Sequence, residues 1–256
     1  MRREIEKLLA PGSADELWDN FVTLMRELGF AHTFYSARRF ADMARLWLTD
    51  ELEWRSTFPV AFLDELNGTV PRLTESPWGL WSRENEGSLP CNWVDSPEAE
   101  PYLTPDNQRL IALMRQHGVF AGQMISLLGL SARVTGTIVL STGDGTDQAD
   151  ADALWQKVGR DVMALSGVFH LRACALPQTK GRTRLTPRQR EVVEWAAYGK
   201  TVSEIAEILG VGPTTIEKHL RLARDALDAH TTAQAILKAH QRNQIFIRPV
   251  EMGGSG

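Results

Sequence analysis

Residues 201–222 read TVSEIAEILGVGPTTIEKHLRL, and the way this stretch divides decides the architecture of the C-terminal quarter. Two helical patterns meet at Gly210-Val211-Gly212-Pro213. In the first, Ile205, Ala206 and Leu209 share an apolar face, Thr201 or Ser203 supplies a start, and Gly210 a stop. In the second, Ile216, Leu220, Ala223 and Leu227 fall at i, i+4, i+7 and i+11, a core stripe. Thr214, Thr215, Lys218, His219 and Arg221 are then left to face outward. Helix, short Gly-containing turn and helix make a helix-turn-helix unit. Its polar face is either the solvated side of a small bundle or a surface shaped for the major groove. In the second case Thr and Arg can bond base edges, while Lys200, Lys218, Thr201 and Ser203 suit phosphates.

Working outward, Thr186 can cap a preceding helix that opens with Pro187 and ends at Gly199, with Val192, Val193 and Ala196 inward. A fourth helix starts near Thr232. These four define an all-α domain over 185–247. Before it, LPQTKGRTR at 176–184 has the composition of a linker, and the 248–256 end is a flexible tail. Charge follows the same division. Residues 182–247 carry ten basic and seven acidic residues, +3, on a chain of net charge −4. A basic module beside an acidic domain points to DNA as a partner of the module alone.

The first 175 residues predict helices flanking a small, mainly antiparallel sheet. ADELWDNFVTLMRELGF is an amphipathic helix, and AHTFYSARRF a strand. Residues 41–66 have a helical pattern that Asn67-Gly68 breaks. The Pro- and Trp-rich stretch 67–103 predicts irregular structure with short elements. A helix capped by Thr104, a hairpin through Gly129 and Ser131, and a long helix from Asp147 to Phe169 follow. The expected fold class is α+β: an N-terminal α/β/α sandwich over 1–175, and a small all-α helix-turn-helix domain.

The C-terminal segment resembles the LuxR-type helix-turn-helix. The matching residues are Leu185-Thr186-x-Arg188, Glu191, Trp195-Ala196, Gly199-Lys200, Ile205-Ala206, Leu209, Thr215-Ile216, His219-Leu220 and Leu227. The chain departs from that pattern at Gln189, Val193, Thr214 and Glu217. Glu217 puts a carboxylate near the DNA edge, where it either accepts a bond from cytosine or weakens phosphate attraction. The N-terminal part resembles the autoinducer-binding domain of quorum-sensing LuxR regulators, through LGFAHTFYS, WRSTF at 54–58, PCNW at 90–93 and the run from Leu103 that carries Gly122.

That resemblance implies a pocket for an acyl-homoserine lactone between sheet and helices. In the family a Trp donates to the ring carbonyl, a Tyr lies beside the amide, and an Asp followed by Pro accepts the amide N–H. Here Trp54 and Phe58 match the Trp–Tyr spacing, Phe58 lacks the hydroxyl, and Asn67-Gly68 stands in place of Asp-Pro. A second register places Phe62 and Leu66 at the aromatic positions and Ser76-Pro77 at Asp-Pro; Trp93 fits both. Tyr35, Trp78 and Trp81 complete the candidate ligand set, with plain core packing as the alternative for the tryptophans. Leaving a buried amide N–H without its acceptor costs about 1–3 kcal/mol. An altered lactone, another apolar molecule, or no ligand at all are therefore the open readings.

The resemblance further implies a homodimer, with the long helix as a contact, a palindromic operator, and RNA polymerase as a partner. The alternative is a ligand-independent regulator whose N-terminal domain serves dimerisation or partner binding. No cofactor, metal or membrane partner is expected, and a cytoplasmic location is. Cys91 and Cys174 sit in no Cys/His cluster, no segment has a signal-peptide core, and no nucleophile or phosphate-loop motif occurs. An enzyme is not expected.

Overall fold

The computed structural model describes residues 1–39, 52–69, 75–131, 134–176, 184–242 and 244–245. Its contacts divide the chain into two units, Met1–Cys174 and Ala175–Gly256.

In the first unit the elements run α1 (Arg2–Leu9), α2 (Ala14–Glu27), β1 (His32–Arg39), β2 (Leu52–Ser56), α3 (Val60–Thr69), α4 (Pro77–Trp81), β3 (Gly87–Pro90), two 3-10 turns at Cys91–Asp95 and Pro97–Tyr102, α5 (Pro105–Gln116), β4 (Gly122–Ser126), β5 (Val134–Ser141) and α6 (Gln148–Ala175). The strands form one antiparallel sheet in the order β2-β1-β5-β4-β3. Period-two alternation along β1 sends Phe34 to one side and Tyr35 to the other. Phe34 joins Phe58, Phe62, Leu66, Trp78, Leu110, Met114, Met124 and Val139 in a core between the sheet and α3, α4 and α5. Tyr35 meets Phe169 of α6 edge-on at 4.9 Å, and Phe169 stacks on Phe21 of α2 at 4.1 Å. The expected α/β/α sandwich with an antiparallel sheet is the fold observed.

Several local expectations change. Leu52–Ser56 is a strand, not helix, because pairing with β1 over five residues satisfies its backbone. Residues 40–51 lie outside the described residues. α3 continues through Asn67-Gly68 to Thr69; a Gly costs a helix only about 1 kcal/mol, and the buried Phe62 and Leu66 hold this one in place. The final helix runs six residues beyond Phe169, to Ala175.

Gly122 explains itself by close approach. It opens β4 opposite Ser141, and a Cβ there would overlap the Leu140 carbonyl oxygen. The same residue is clasped by the first residue of α6: Gly122 donates its N–H to Gln148 Oε1 at 3.2 Å, and Gln148 Nε2 donates to the Gly122 carbonyl at 2.9 Å.

The second unit contains α7 (Pro187–Ala197), α8 (Val202–Leu209), α9 (Pro213–Leu227) and α10 (Thr232–Gln241). Thr186 and Gln189 form a reciprocal capping box on α7, so Gln189 does what a Glu would do at that position. Thr201, not Ser203, is the cap of α8, paired with Glu204. α8 stops at Gly210, whose φ of 63° is left-handed and suits a residue without Cβ. Leu185, Val192, Val193, Ile205, Ile216, Leu220 and Leu227 close on one core. Gln244, which is buried, accepts from the Leu185 N–H at 2.7 Å and ties the start of α7 to the chain beyond α10. The expected linker at 176–184 falls, except for Leu176 and Arg184, outside the described residues, as does the 248–256 tail. Among the described residues no helix is long and apolar enough to cross a membrane.

Two predictions follow from these contacts. Gly122→Ala is expected to lower stability by about 1–3 kcal/mol through overpacking, seen as a reduced urea midpoint; an unchanged midpoint contradicts the close approach. The Glu204 carboxyl is held at about 2, down from 4.5, first by the Thr201 backbone N–H at 2.8 Å and then by Lys200 Nζ at 3.0 Å. A depressed folded pKa stabilises fully above pH 4.5 and loses that contribution as pH falls toward 2. Acid titration by far-UV circular dichroism should therefore be shallower across that window in Glu204→Gln than in the parent chain.

Candidate nucleic-acid interface and aromatic layer

The reading face of α9 is built by its own periodicity. Ile216, Leu220, Ala223 and Leu227 are buried. Thr214, Thr215, Glu217, Lys218 and Arg221 are exposed. Four of these, Thr214, Glu217, Lys218 and Arg221, stand at i, i+3, i+4 and i+7 and so share one face. His219 departs from the expected outward placement. It lies three residues from Ile216, on the flank of the core stripe, and is half-buried. Arg221 reaches Asp225 at 3.7 Å, an exposed pair worth little. No ion-pair partner of Lys218 is found among the described residues.

The α8 candidates divide. Ser203 is exposed at the second residue of the helix. Thr201 and Lys200 are exposed but engaged, both bonded to Glu204, with the Thr201 hydroxyl 2.9 Å from Oε2. A phosphate at this corner would compete with Glu204 for both groups. Arg188, one of the residues that carry the resemblance, is structural. Its guanidinium pairs with Glu191 at 2.6 Å and donates to the Leu209 carbonyl at 3.3 Å, which fixes α7 against the end of α8.

In the first unit, six of the eight candidate ligand residues gather on the α3–α5 side of the sheet. Phe58, Phe62 and Trp78 are buried, with Phe58 and Phe62 edge-to-face at 5.5 Å. The Trp78 indole N–H donates to the Cys91 carbonyl at 3.1 Å. Trp81 and Trp93 are partly buried, 6.3 Å apart, and Trp93 continues to Tyr102 at 5.6 Å. Trp54, on the edge strand β2, stands near-parallel to Phe34 at 6.5 Å and is 45% exposed. Asn67 falls in the last turn of α3, and its side chain lies outside the described residues. Tyr35 does not join the group. It occupies the α6 side of the sheet, its hydroxyl 3.1 Å from Nδ1 of the buried His170. In the second register, Phe62 and Leu66 are both buried, while the Ser76 hydroxyl caps α4 by accepting from the Gly79 N–H.

Sequence reasoning missed an open groove of about 400 Å3 on the α6 side, lined by Ile125, Leu127, Leu130, Met163, Val168 and Leu171. Leu130 and Leu171 are exposed on it. Its residues come from the start of β3, the β4–β5 hairpin and α6, so only the fold brings them together. The Cys91 thiol is pushed up to about 12 by burial, which makes it a poor nucleophile. Among the described residues no three metal-ligating side chains converge.

Comparison with known proteins matches both parts. Residues 183–239 fit the family profile of bacterial regulatory proteins of the luxR family, and residues 75–173 fit the autoinducer binding domain. Transcriptional activator protein BjaR1 of Bradyrhizobium diazoefficiens is 42% identical over 78 residues, 30% of this chain and 32% of that protein. The HTH-type quorum sensing-dependent transcriptional regulator RpaR of Rhodopseudomonas palustris is 37% identical over 108 residues, 40% of this chain and 44% of that protein. The chain thus matches less than half the length of either relative. Among solved structures, SdiA of Escherichia coli has a TM-score of 0.52 at 17% identity, with 96% of this chain and 97% of that chain covered. CepR2 of Burkholderia cenocepacia has a TM-score of 0.51 at 17% identity, with coverage of 67% and 91%. These structural likenesses concern the fold. The family matches are to regulators, not to enzymes. With an autoinducer-binding domain followed by that family's helix-turn-helix, the chain belongs to the LuxR family of bacterial regulatory proteins.

Proposed function

We propose that this protein is a ligand-responsive transcription regulator that binds a roughly palindromic operator as a dimer. The observation that carries the reading is the exposed stripe Thr214, Lys218 and Arg221 on α9, held outward by a closed apolar core. In a dimer, two such helices would enter the major groove about 34 Å apart. Arg221 is the candidate for bidentate contact with guanine, and Lys218 the candidate phosphate contact. The exposed Leu130 and, on α6 itself, Leu171 supply apolar surface for a second copy. A ligand would act by favouring one arrangement of the two units. RNA polymerase is the partner through which activation would run, in the cytoplasm.

The ligand class supported is an acyl-homoserine lactone or another small molecule with an apolar chain, held between the sheet and α3–α5. The fold neighbour SdiA is known in complex with octanoyl-rac-glycerol, which makes a chain without a lactone ring a proper second probe. One observation favours a ligand-independent regulator instead. The Trp78 N–H is already satisfied by Cys91, and Phe58 and Phe62 are closed into the core.

Fluorescence anisotropy of the full chain on operator-containing DNA tests both readings, with and without octanoyl-homoserine lactone and octanoylglycerol. A change in Kd on adding either probe supports gating; equal binding in all conditions supports the ligand-independent reading. On the same DNA, Lys218→Ala is expected to weaken binding to all sequences and reduce the salt slope by about 1. Arg221→Ala should relax base preference at one position of each half-site, and uniform loss on every sequence would overturn its assignment to a base.

A further inference from the structure

We propose that Glu217 is a specificity-determining residue, whose carboxylate accepts a hydrogen bond from the exocyclic amino group of cytosine in each half-site. The inference rests on the DNA-binding reading above and deepens it. Glu217 lies inside the exposed i, i+3, i+4, i+7 stripe, flanked by Thr214, Lys218 and Arg221. Its carboxylate has no hydrogen-bond or ion-pair partner among the described residues. Arg221, one turn on and well placed for an i, i+4 pair, turns to Asp225 instead. The carboxylate is therefore unneutralised at the centre of a surface that otherwise offers hydroxyls and cations.

A carboxylate cannot be indifferent there. An ionised carboxylate only accepts hydrogen bonds. Against phosphate oxygens, guanine O6 and N7, or thymine O4, it meets acceptors and is repelled. Two base edges offer a donor in the major groove, cytosine N4 and adenine N6. Adenine sets its N7 acceptor beside N6, which faces one carboxylate oxygen with a lone pair, whereas cytosine carries no acceptor on its own major-groove edge. Cytosine is the match. The neighbouring cations keep their own roles: Lys218 offsets the backbone repulsion, and Arg221 reads the adjacent position. Repulsion from the other bases then contributes as much to selectivity as attraction to cytosine.

The test is selection of the full chain on a randomised DNA library, with and without octanoyl-homoserine lactone, followed by sequencing. Parent, Glu217→Ala, Glu217→Gln and Glu217→Lys are compared. The parent should enrich cytosine at one position per half-site. Glu217→Ala should flatten that position alone, with discrimination falling roughly 5- to 150-fold, and Glu217→Lys should move it toward guanine. Because Glu217 is exposed, helicity by circular dichroism should not change in any variant. A motif identical in parent and Glu217→Ala overturns the proposal. So does tighter binding of Glu217→Ala to every sequence without a change of motif, which would make the carboxylate a mere brake on phosphate attraction. Flattening at adenine overturns the base assignment. If the parent enriches no motif in either condition, the DNA-binding reading fails with it, and that result is distinct from the others.

Discussion

β1 must satisfy both faces of the sheet at once, and the first unit is arranged around that requirement. It is a central strand, paired with β2 on one side and over its full length with β5 on the other. Its alternate side chains are buried in both directions, Phe34 among the α3–α5 residues and Tyr35 against α6. A slip of one residue would exchange the two sets and strand Tyr35 away from His170. The sides taken by Tyr35 and by Trp54, which pairs opposite Ser36, therefore depend on the register of one strand. In the second unit the equivalent role falls to caps. Thr186, Thr201 and Thr231 each accept from a backbone N–H three residues on, and these bonds fix where each helix begins.

This difference explains what could be read from the sequence. Helix starts and stops are local signals, so the four C-terminal helices were legible to within a residue or two at Pro187, Gly199, Gly210 and Thr232. β2 and β3 were not. Leu52–Ser56 spans five residues, too few to separate alternation from helical spacing, and Gly87–Pro90 spans four and ends on a proline. Both exist because a neighbouring strand offers partners. α1 was also missed: Ile5, Leu8 and Leu9 stand at helical spacing, but the helix spans only eight residues, too few for the pattern to repeat.

The candidate sites followed the same rule. The polar stripe of α9 was legible because a helix defines its own faces. His219 was misplaced because it stands three residues after Ile216 and four before Ala223, between two core positions, so the core draws it in. In the aromatic layer, residue types were legible but neighbours were not. Period two separates Tyr35 from Phe34, yet nothing local says which side of the sheet carries Trp54, Phe58 and Trp78. The bond from Trp78 to Cys91 crosses thirteen residues and had no sequence signal.

The clasp between Gln148 and Gly122 has a mechanical consequence. It fastens the first residue of α6 to the start of β4, while the other end of the helix marks the limit of the first unit at Cys174. A helix of 28 residues is a rod of about 42 Å at 1.5 Å per residue. Its far end is held as well, by Phe169 packed on Phe21 and Tyr35 and by His170 beside the Tyr35 hydroxyl. Pinned at both ends, the rod cannot swing on the sheet. A displacement of β4 would carry the whole helix with it, to the residue where the sandwich ends.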